Sequence, residues 1–175
     1  TSRRLQILAK RTILTLLVLL MIALASRLYS AWTSRIWDGQ GRITIAVNSQ
    51  NPKIYSFEPV SQKVTILELP HSLEINASHG LGNWYVGSLY ELGLQKKMEG
   101  ELLRMSLQKS LGIPIDAYVA PPGDVFFQDN PKAKITFLLQ TLLPNSNKTN
   151  LSLIDQLNLL IKTTGSRVTT KEINP

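Results

Sequence analysis

Cysteine is absent from all 175 residues. That excludes disulfides, thiolate nucleophiles and zinc or iron–sulfur centres built on sulfur. It says little about redox compartment, because a domain of this size can be stable without cross-links. Histidine is nearly as scarce, with His71 and His79 the only two. They share one polar segment in which Glu74 is the sole nearby carboxylate, so solvated loop histidines are the simpler reading than metal ligands. No Ser/His/Asp set has a recognisable spacing and no Gly-x-Ser-x-Gly elbow is present. Gly80-Leu81-Gly82 with Gly87 lacks the strand-to-helix entry of a phosphate-cradling loop.

Acidic residues are missing from the whole N-terminal part: none precedes Asp38. Six of the 19 Lys and Arg lie there, as Arg3, Arg4, Lys10, Arg11, Arg27 and Arg35. Beyond Arg35, thirteen basic residues face twelve acidic ones, a net charge of +1 against +7 for the whole chain. A nucleic-acid module carries its basic surface on the folded domain, so no nucleic-acid partner is expected. The charge asymmetry is instead a membrane-topology signal.

Between Thr12 and Ser26 there is no charge, and 13–24 is almost wholly aliphatic. With Arg27 snorkelling, the run extends through Leu28, Tyr29, Ala31 and Trp32 and reaches the roughly 20 residues that cross a bilayer. Tyr29, Trp32 and Trp37 fall where interfacial aromatics are expected, and the basic residues ahead of the helix place the N-terminus in the cytoplasm. Ala23-Leu24-Ala25 also fits a signal-peptidase site, but the apolar core enters it without a polar spacer and apolar character resumes after Arg27. Both readings export the C-terminal domain. The expected organisation is a basic cytoplasmic tail at 1–11, a transmembrane helix at 12–32, a linker at 33–41 broken flexibly at Asp38-Gly39-Gln40-Gly41, and an extracytoplasmic α/β domain at 42–175. The chain opens on Thr1 rather than Met, as a trimmed or partial chain would.

Within the domain, 42–47 alternates with Ile43, Ile45 and Val47 on one face and predicts a strand. Residues 53–57 and 64–69 predict two more, joined by a hairpin turn at 58–63 that holds Pro59. The polar, glycine-bearing stretch 71–83 predicts a loop. Helices follow at 84–92 and at 96–111, the second closed by Gly112 and Pro114. An extended segment comes next at 115–120, then a helix at 134–143 and a polar loop at 144–150. Asn150 caps a helix at 151–162 whose Leu153, Leu157, Leu160 and Ile161 share an apolar face. A last strand fits 167–173. Glu99, Glu101, Lys96, Lys97, Arg104 and Lys109 read most simply as a solvated helix face. Asn76, Asn147 and Asn150 open glycosylation sequons that matter only in a eukaryotic secretory lumen. Strands, then helices, then a strand predict an α/β domain: a mixed sheet flanked by helices, preceded by one N-terminal transmembrane helix.

Ile43-Thr44-Ile45-Ala46-Val47, Lys53-Ile54-Tyr55-Ser56-Phe57-Glu58-Pro59 and Lys63-Val64-Thr65-Ile66-Leu67-Glu68-Leu69-Pro70 resemble the first strand and hairpin of the LytR-CpsA-Psr family of cell-envelope proteins. Leu111-Gly112-Ile113-Pro114-Ile115-Asp116-Ala117-Tyr118 resembles the family's helix, Leu-Gly-(Ile/Val)-Pro-(Ile/Val)-Asp and Tyr. The resemblance covers a little under half the chain. It implies a short cytoplasmic tail, one membrane helix and an extracytoplasmic domain. It also implies transfer of glycopolymers from a polyprenyl pyrophosphate carrier, with arginines gripping the diphosphate and acidic residues holding magnesium.

This sequence departs from the family where that chemistry resides. His71-Ser72 stands in place of Arg-Asp after Pro70, Asn48-Ser49-Gln50-Asn51 replaces a segment that usually holds Asp and Arg, and the later arginine-rich helix has no counterpart. No catalytic residue carries over, and no cofactor is implied outside the transferase alternative, which would need magnesium. Arg42 and His71 remain as candidate ligand-binding residues. The preferred reading is a membrane-anchored, non-catalytic binding or scaffolding module. Its partners would be the lipid bilayer and a polyprenyl-linked lipid or cell-wall polymer. The alternatives are an active transferase with a rearranged site using Arg42, His71 and nearby carboxylates, or an unrelated tethered protein-interaction domain.

Overall fold

The computed structural model describes residues 2–120, 123–127, 130–141 and 149–172. The chain forms two compact units, Thr1–Arg35 and Ile36–Pro175. The first is a single helix, α1 (Ser2–Thr33), whose apolar stretch Arg11–Thr33 has 23 residues. At 1.5 Å per residue that stretch is about 34 Å long, enough to cross a bilayer core of about 30 Å. Its leucines and isoleucines are exposed all around the helix, as they are not in the core helix of a soluble protein.

The second unit is built on a five-stranded mixed sheet in the order β6-β1-β2-β3-β7. The strands β1 (Ile43–Val47), β2 (Lys53–Glu58) and β3 (Lys63–Glu68) form an antiparallel meander. β6 (Ala117–Val119) adds parallel to β1, and β7 (Arg167–Glu172) adds parallel to β3. The helices α2 (Leu89–Gln95) and α3 (Glu101–Leu111) lie between β3 and β6 in the chain. They cover one face of the sheet, packing Leu89, Leu92, Leu103 and Leu107 with Ala46 and Ile54. The helices α4 (Pro131–Thr141) and α5 (Leu153–Lys162) lie between β6 and β7. They cover the other face, where Phe137 and Leu159 pack with Ile43, Ile45, Val47, Tyr55, Phe57 and Val64. The alternation of β1 is thus realised: Ile43, Ile45 and Val47 share one side. The α3 stop is also as expected, with Gly112 at φ 65 in the left-handed region and no further turn before Pro114.

Several local expectations are corrected. Within 71–83, Glu74–Asn76 (β4) pairs with Asn83–Tyr85 (β5), so the predicted loop holds half of a small hairpin. That pairing takes Trp84 and Tyr85 into a strand, and the first helix of the domain begins at Leu89 instead of residue 84. Lys97 and Glu99 adopt positive φ, which delays α3 to Glu101. The predicted helix at 134–143 begins earlier, at Pro131, and its last two residues lie outside the described set, as do most of the loop at 144–150 and the sequon at Asn147.

The largest corrections concern α5 and the segment before β1. Asn150 does not cap α5. Its Oδ1 accepts from the Tyr118 amide at 3.0 Å, while Ser152 caps α5 in a reciprocal box with Asp155. The buried side of α5 holds Ser152, Asp155, Gln156, Leu159 and Thr163, so the apolar face that carries Leu157 and Ile161 is turned outward and exposed. Trp37, expected at a membrane interface, is in the domain core at 4% exposure, edge-on to Phe57 at 6.0 Å. Its Nε1 donates to the Gly41 carbonyl at 2.7 Å. The segment 38–41 is held too: Asp38 Oδ1 accepts from the amides of Gln40 and Gly41, and Lys162 Nζ donates to the Gly39 carbonyl. The supposed flexible break is therefore an Asx-type turn.

All of this hinges on Asp155, which accepts the amides of Ile36 at 2.9 Å, Trp37 at 3.1 Å and Ser152 at 3.0 Å while wholly buried. Asp155→Ala strands three amide donors and is expected to destabilise the domain by about 3 kcal/mol, with Trp37→Ala costing about as much through its lost core volume. Chemical denaturation of the full chain in detergent, followed by tryptophan fluorescence for Asp155→Ala and by far-UV circular dichroism for Trp37→Ala, checks both.

Candidate functional site

The α2/α3 side of the sheet is only partly covered. Because α3 ends at Gly112, its cover stops short and leaves a cleft of about 400 Å³ over β2, β3 and β7. The floor is apolar, made by Ile54, Leu67, Ile113 and Pro114. Hydroxyls from Thr44, Ser56 and Thr65 line it, and Arg42, Lys63, Lys171 and Glu58 supply the charge. These residues come together by strand alternation: Thr44, Ile54, Ser56, Glu58, Lys63, Thr65, Leu67 and Lys171 all point to the side opposite Ile43, Ile45, Tyr55 and Val64. Glu58 is engaged by Arg42, Nε to Oε2 at 3.1 Å. Lys63 and Lys171 form no ion pair among the described residues. Three cations against one carboxylate give the cleft a positive rim over an apolar floor, a combination suited to an anionic amphiphile.

His71 is elsewhere. β1 and β3 run in the same direction, so Arg42, just before β1, and His71, just after β3, lie at opposite ends of the sheet. A six-residue strand separates these ends by about 20 Å. The His71 ring rests against the backbone of Gly87, where any side chain would collide with it, and the Gly87 amide donates to the His71 carbonyl at 3.2 Å. Nearby strand ends carry Lys53, paired with Glu68 at 3.7 Å, and Asn51, which donates to Glu68 at 3.1 Å. The structure therefore does not bring Arg42 and His71 into one site. Among the described residues no three His, Asp or Glu side chains converge, and Glu68 is already engaged.

Of the charged residues read as a solvated helix face, Lys96, Lys97 and Lys109 are exposed, whereas Glu99, Glu101 and Arg104 form a structured cluster around β6. Arg104 Nε pairs with Glu101 at 2.8 Å, and its Nη1 donates to the Ile115 carbonyl at 2.7 Å. Asn150 donates to Glu101 at 3.0 Å. The Tyr118 hydroxyl donates to Glu99 at 3.2 Å, and its ring packs on Gly100, where a Cβ would collide with it. Only sequence-distant partners (β6 and the 149–150 segment) reveal this cluster, so local periodicity could not find it.

Together these features define a class: an α/β domain on a mixed sheet, following a helix able to span a membrane, with a cationic cleft on one sheet face. No family model matches the sequence, and no curated protein matches it. Solved structures do share the fold. Bacillus subtilis TagT superposes with a TM-score of 0.54 at 14% identity, over 79% of this chain and 80% of that one. B. subtilis TagV gives 0.54 at 11% identity, over 77% and 85%. A LytR-CPS2A-psr family protein, TagT with bound octaprenyl pyrophosphate lipid, gives 0.52 at 14% identity, over 80% and 81%. The resemblance read from the sequence holds at the level of fold: this domain has the LytR-CpsA-Psr architecture.

Burial, with Glu99 beside it, holds the Tyr118 phenol well above the ordinary tyrosine value of 10.0. The folded phenol keeps its proton to higher pH than the unfolded one. It therefore stabilises the fold fully below about pH 10, and that contribution disappears as pH rises toward the folded value. Tyr118→Phe is expected to cost about 1 kcal/mol at neutral pH but to flatten the fall in stability between about pH 10 and 12. Urea denaturation across that range measures it.

Proposed function

We propose that this chain is a single-pass membrane protein of the cell envelope. Residues 1–11 lie in the cytoplasm, 12–32 cross the bilayer, and the LytR-CpsA-Psr-fold domain lies outside. In this reading the domain binds a polyprenyl-linked lipid or an anionic cell-wall polymer and does not itself transfer it. The observation that carries the proposal is the displacement of positive charge. At the strand end that follows Pro70, Lys53 is tied to Glu68 and His71 packs on Gly87. Three other cations, Arg42, Lys63 and Lys171, line the open sheet face instead. Transfer from a diphosphate carrier needs fixed cations and a metal focused on the leaving group, whereas recognition needs only a cationic rim beside an apolar surface. The TagT structure with octaprenyl pyrophosphate supports the ligand class. Arg3, Arg4, Lys10 and Arg11 ahead of the apolar run support the orientation.

The test is a titration of octaprenyl pyrophosphate into the full chain in lipid nanodiscs, with and without magnesium. Binding is expected without magnesium dependence and is expected to weaken with salt. The double substitution Arg42→Glu with Lys63→Glu should weaken it about tenfold, and His71→Ala should leave it unchanged. Magnesium-dependent transfer of a glycopolymer to an acceptor would overturn the non-catalytic reading.

A further inference from the structure

The outer surfaces of α4 and α5 are apolar where a soluble domain would be polar. On α5, Leu157 and Ile161 are 48% and 68% exposed and lie one turn apart on the side away from the sheet. On α4, Ile135 and Leu139 repeat the arrangement at 55% and 60%. Phe137 and Leu159 point the two helices' inner faces into one core, so both exposed pairs belong to the same outer layer of the domain. Ile36, 43% exposed, begins the segment that runs beside α5, held by Asp155 and, at Gly39, by Lys162. Asp155, Asn158 and Lys162 form the row of α5 next to this segment, and Leu157 and Ile161 form the neighbouring exposed row.

Two further observations indicate what covers this surface. First, only Ser34 and Arg35 lie between Thr33, the last residue of the apolar helix, and Ile36. Two residues of chain reach no more than about 10 Å, so Ile36 cannot be far from the place where that helix leaves a bilayer. Second, α4 and α5 are poor in acids: between Pro131 and Thr170 the sequence has five basic residues and one acid, Asp155, which is wholly buried, while the adjoining segment carries one exposed acid, Asp38. A surface with more basic than acidic residues and with exposed aliphatic side chains matches the interface of a bilayer that contains anionic lipids.

We infer that the outer face of α4 and α5, with Ile36, seats on the membrane surface and inserts Leu139, Leu157 and Ile161 among the lipid headgroups. This rests on the proposed membrane anchoring of the chain. It makes the bilayer a second ligand of the domain.

The absence of cysteine makes the test direct. Single cysteines replace Leu139, Leu157 or Ile161, or Val60 as a control on the β2–β3 turn, or Leu20 as a control in the apolar helix. Each full-length variant carries an environment-sensitive fluorophore in vesicles of phosphatidylcholine and phosphatidylglycerol, with spin-labelled lipids as quenchers. Labels at 139, 157 and 161 are expected to be quenched at least about twofold more strongly than the label at 60, with the excess weakening in vesicles lacking phosphatidylglycerol. If the label at 20 is quenched but those at 139, 157 and 161 match the label at 60, the docking is wrong and the anchor stands. If the label at 20 is also unquenched, the membrane reading falls and the docking with it.

Discussion

Asp155 is the residue on which the arrangement of the domain turns. A carboxylate taken wholly out of water is costly unless its oxygens are satisfied, and here three backbone amides satisfy them, from Ile36, Trp37 and Ser152. The interaction acts in two directions at once. It sets the rotation of α5 about its own axis, because the capping box with Ser152 must face the entering chain. It also draws the first residues of the domain against α5, which carries Trp37 into the core beside Phe57. A packing constraint this local then decides a property of the whole surface: with the polar row turned inward, Leu157 and Ile161 are left outside.

On the other face of the sheet the controlling feature is a helix end. Gly112 in the left-handed conformation stops α3, and Pro114 forbids its continuation. The chain then drops into the extended segment that becomes β6, where Asp116 accepts the Thr44 amide at 2.8 Å. Beyond that point no helix among the described residues covers this face of the sheet. The cleft therefore exists because a cover ends, and its lining consists of the outward residues of β2, β3 and β7. Strand alternation gathers Arg42, Lys63 and Lys171 on one side without any of them being close in sequence.

The fold shared with TagT and TagV is a scaffold, and scaffold similarity at this level of identity does not carry chemistry with it. Within that architecture this chain distributes its charge unevenly. Its N-terminal part has no acid before Asp38, its α4–α5 layer has one buried acid, and three of its thirteen domain cations line an open sheet face. Acids are disfavoured on surfaces that meet anionic lipids or ligands, and cations are favoured there.

Those features that depend on near neighbours in the chain were legible from residue order alone. The apolar helix, the alternation of Ile43, Ile45 and Val47, the turn at 58–63 and the stop at Gly112 each rest on side-chain periodicity or on the backbone chemistry of Gly and Pro. The class of the fold followed from the order of these elements. Tertiary structure decided the rest, because it concerns partners that lie far apart in sequence. Apolar periodicity put Leu157 and Ile161 on one face of α5, but only the bonds from residues 36–37 to Asp155 decide that this face is turned outward. Trp37 has the composition of an interface aromatic, yet a core site beside Phe57 was available to it. Asn150 stands where a cap would, but the amide of Tyr118 claims its oxygen. Arg42 and His71 were equally plausible as candidates in the sequence, and only the direction of β1 and β3 places them at opposite ends of one sheet. Local order determines which elements form, whereas long-range hydrogen bonds and strand direction determine which residues meet.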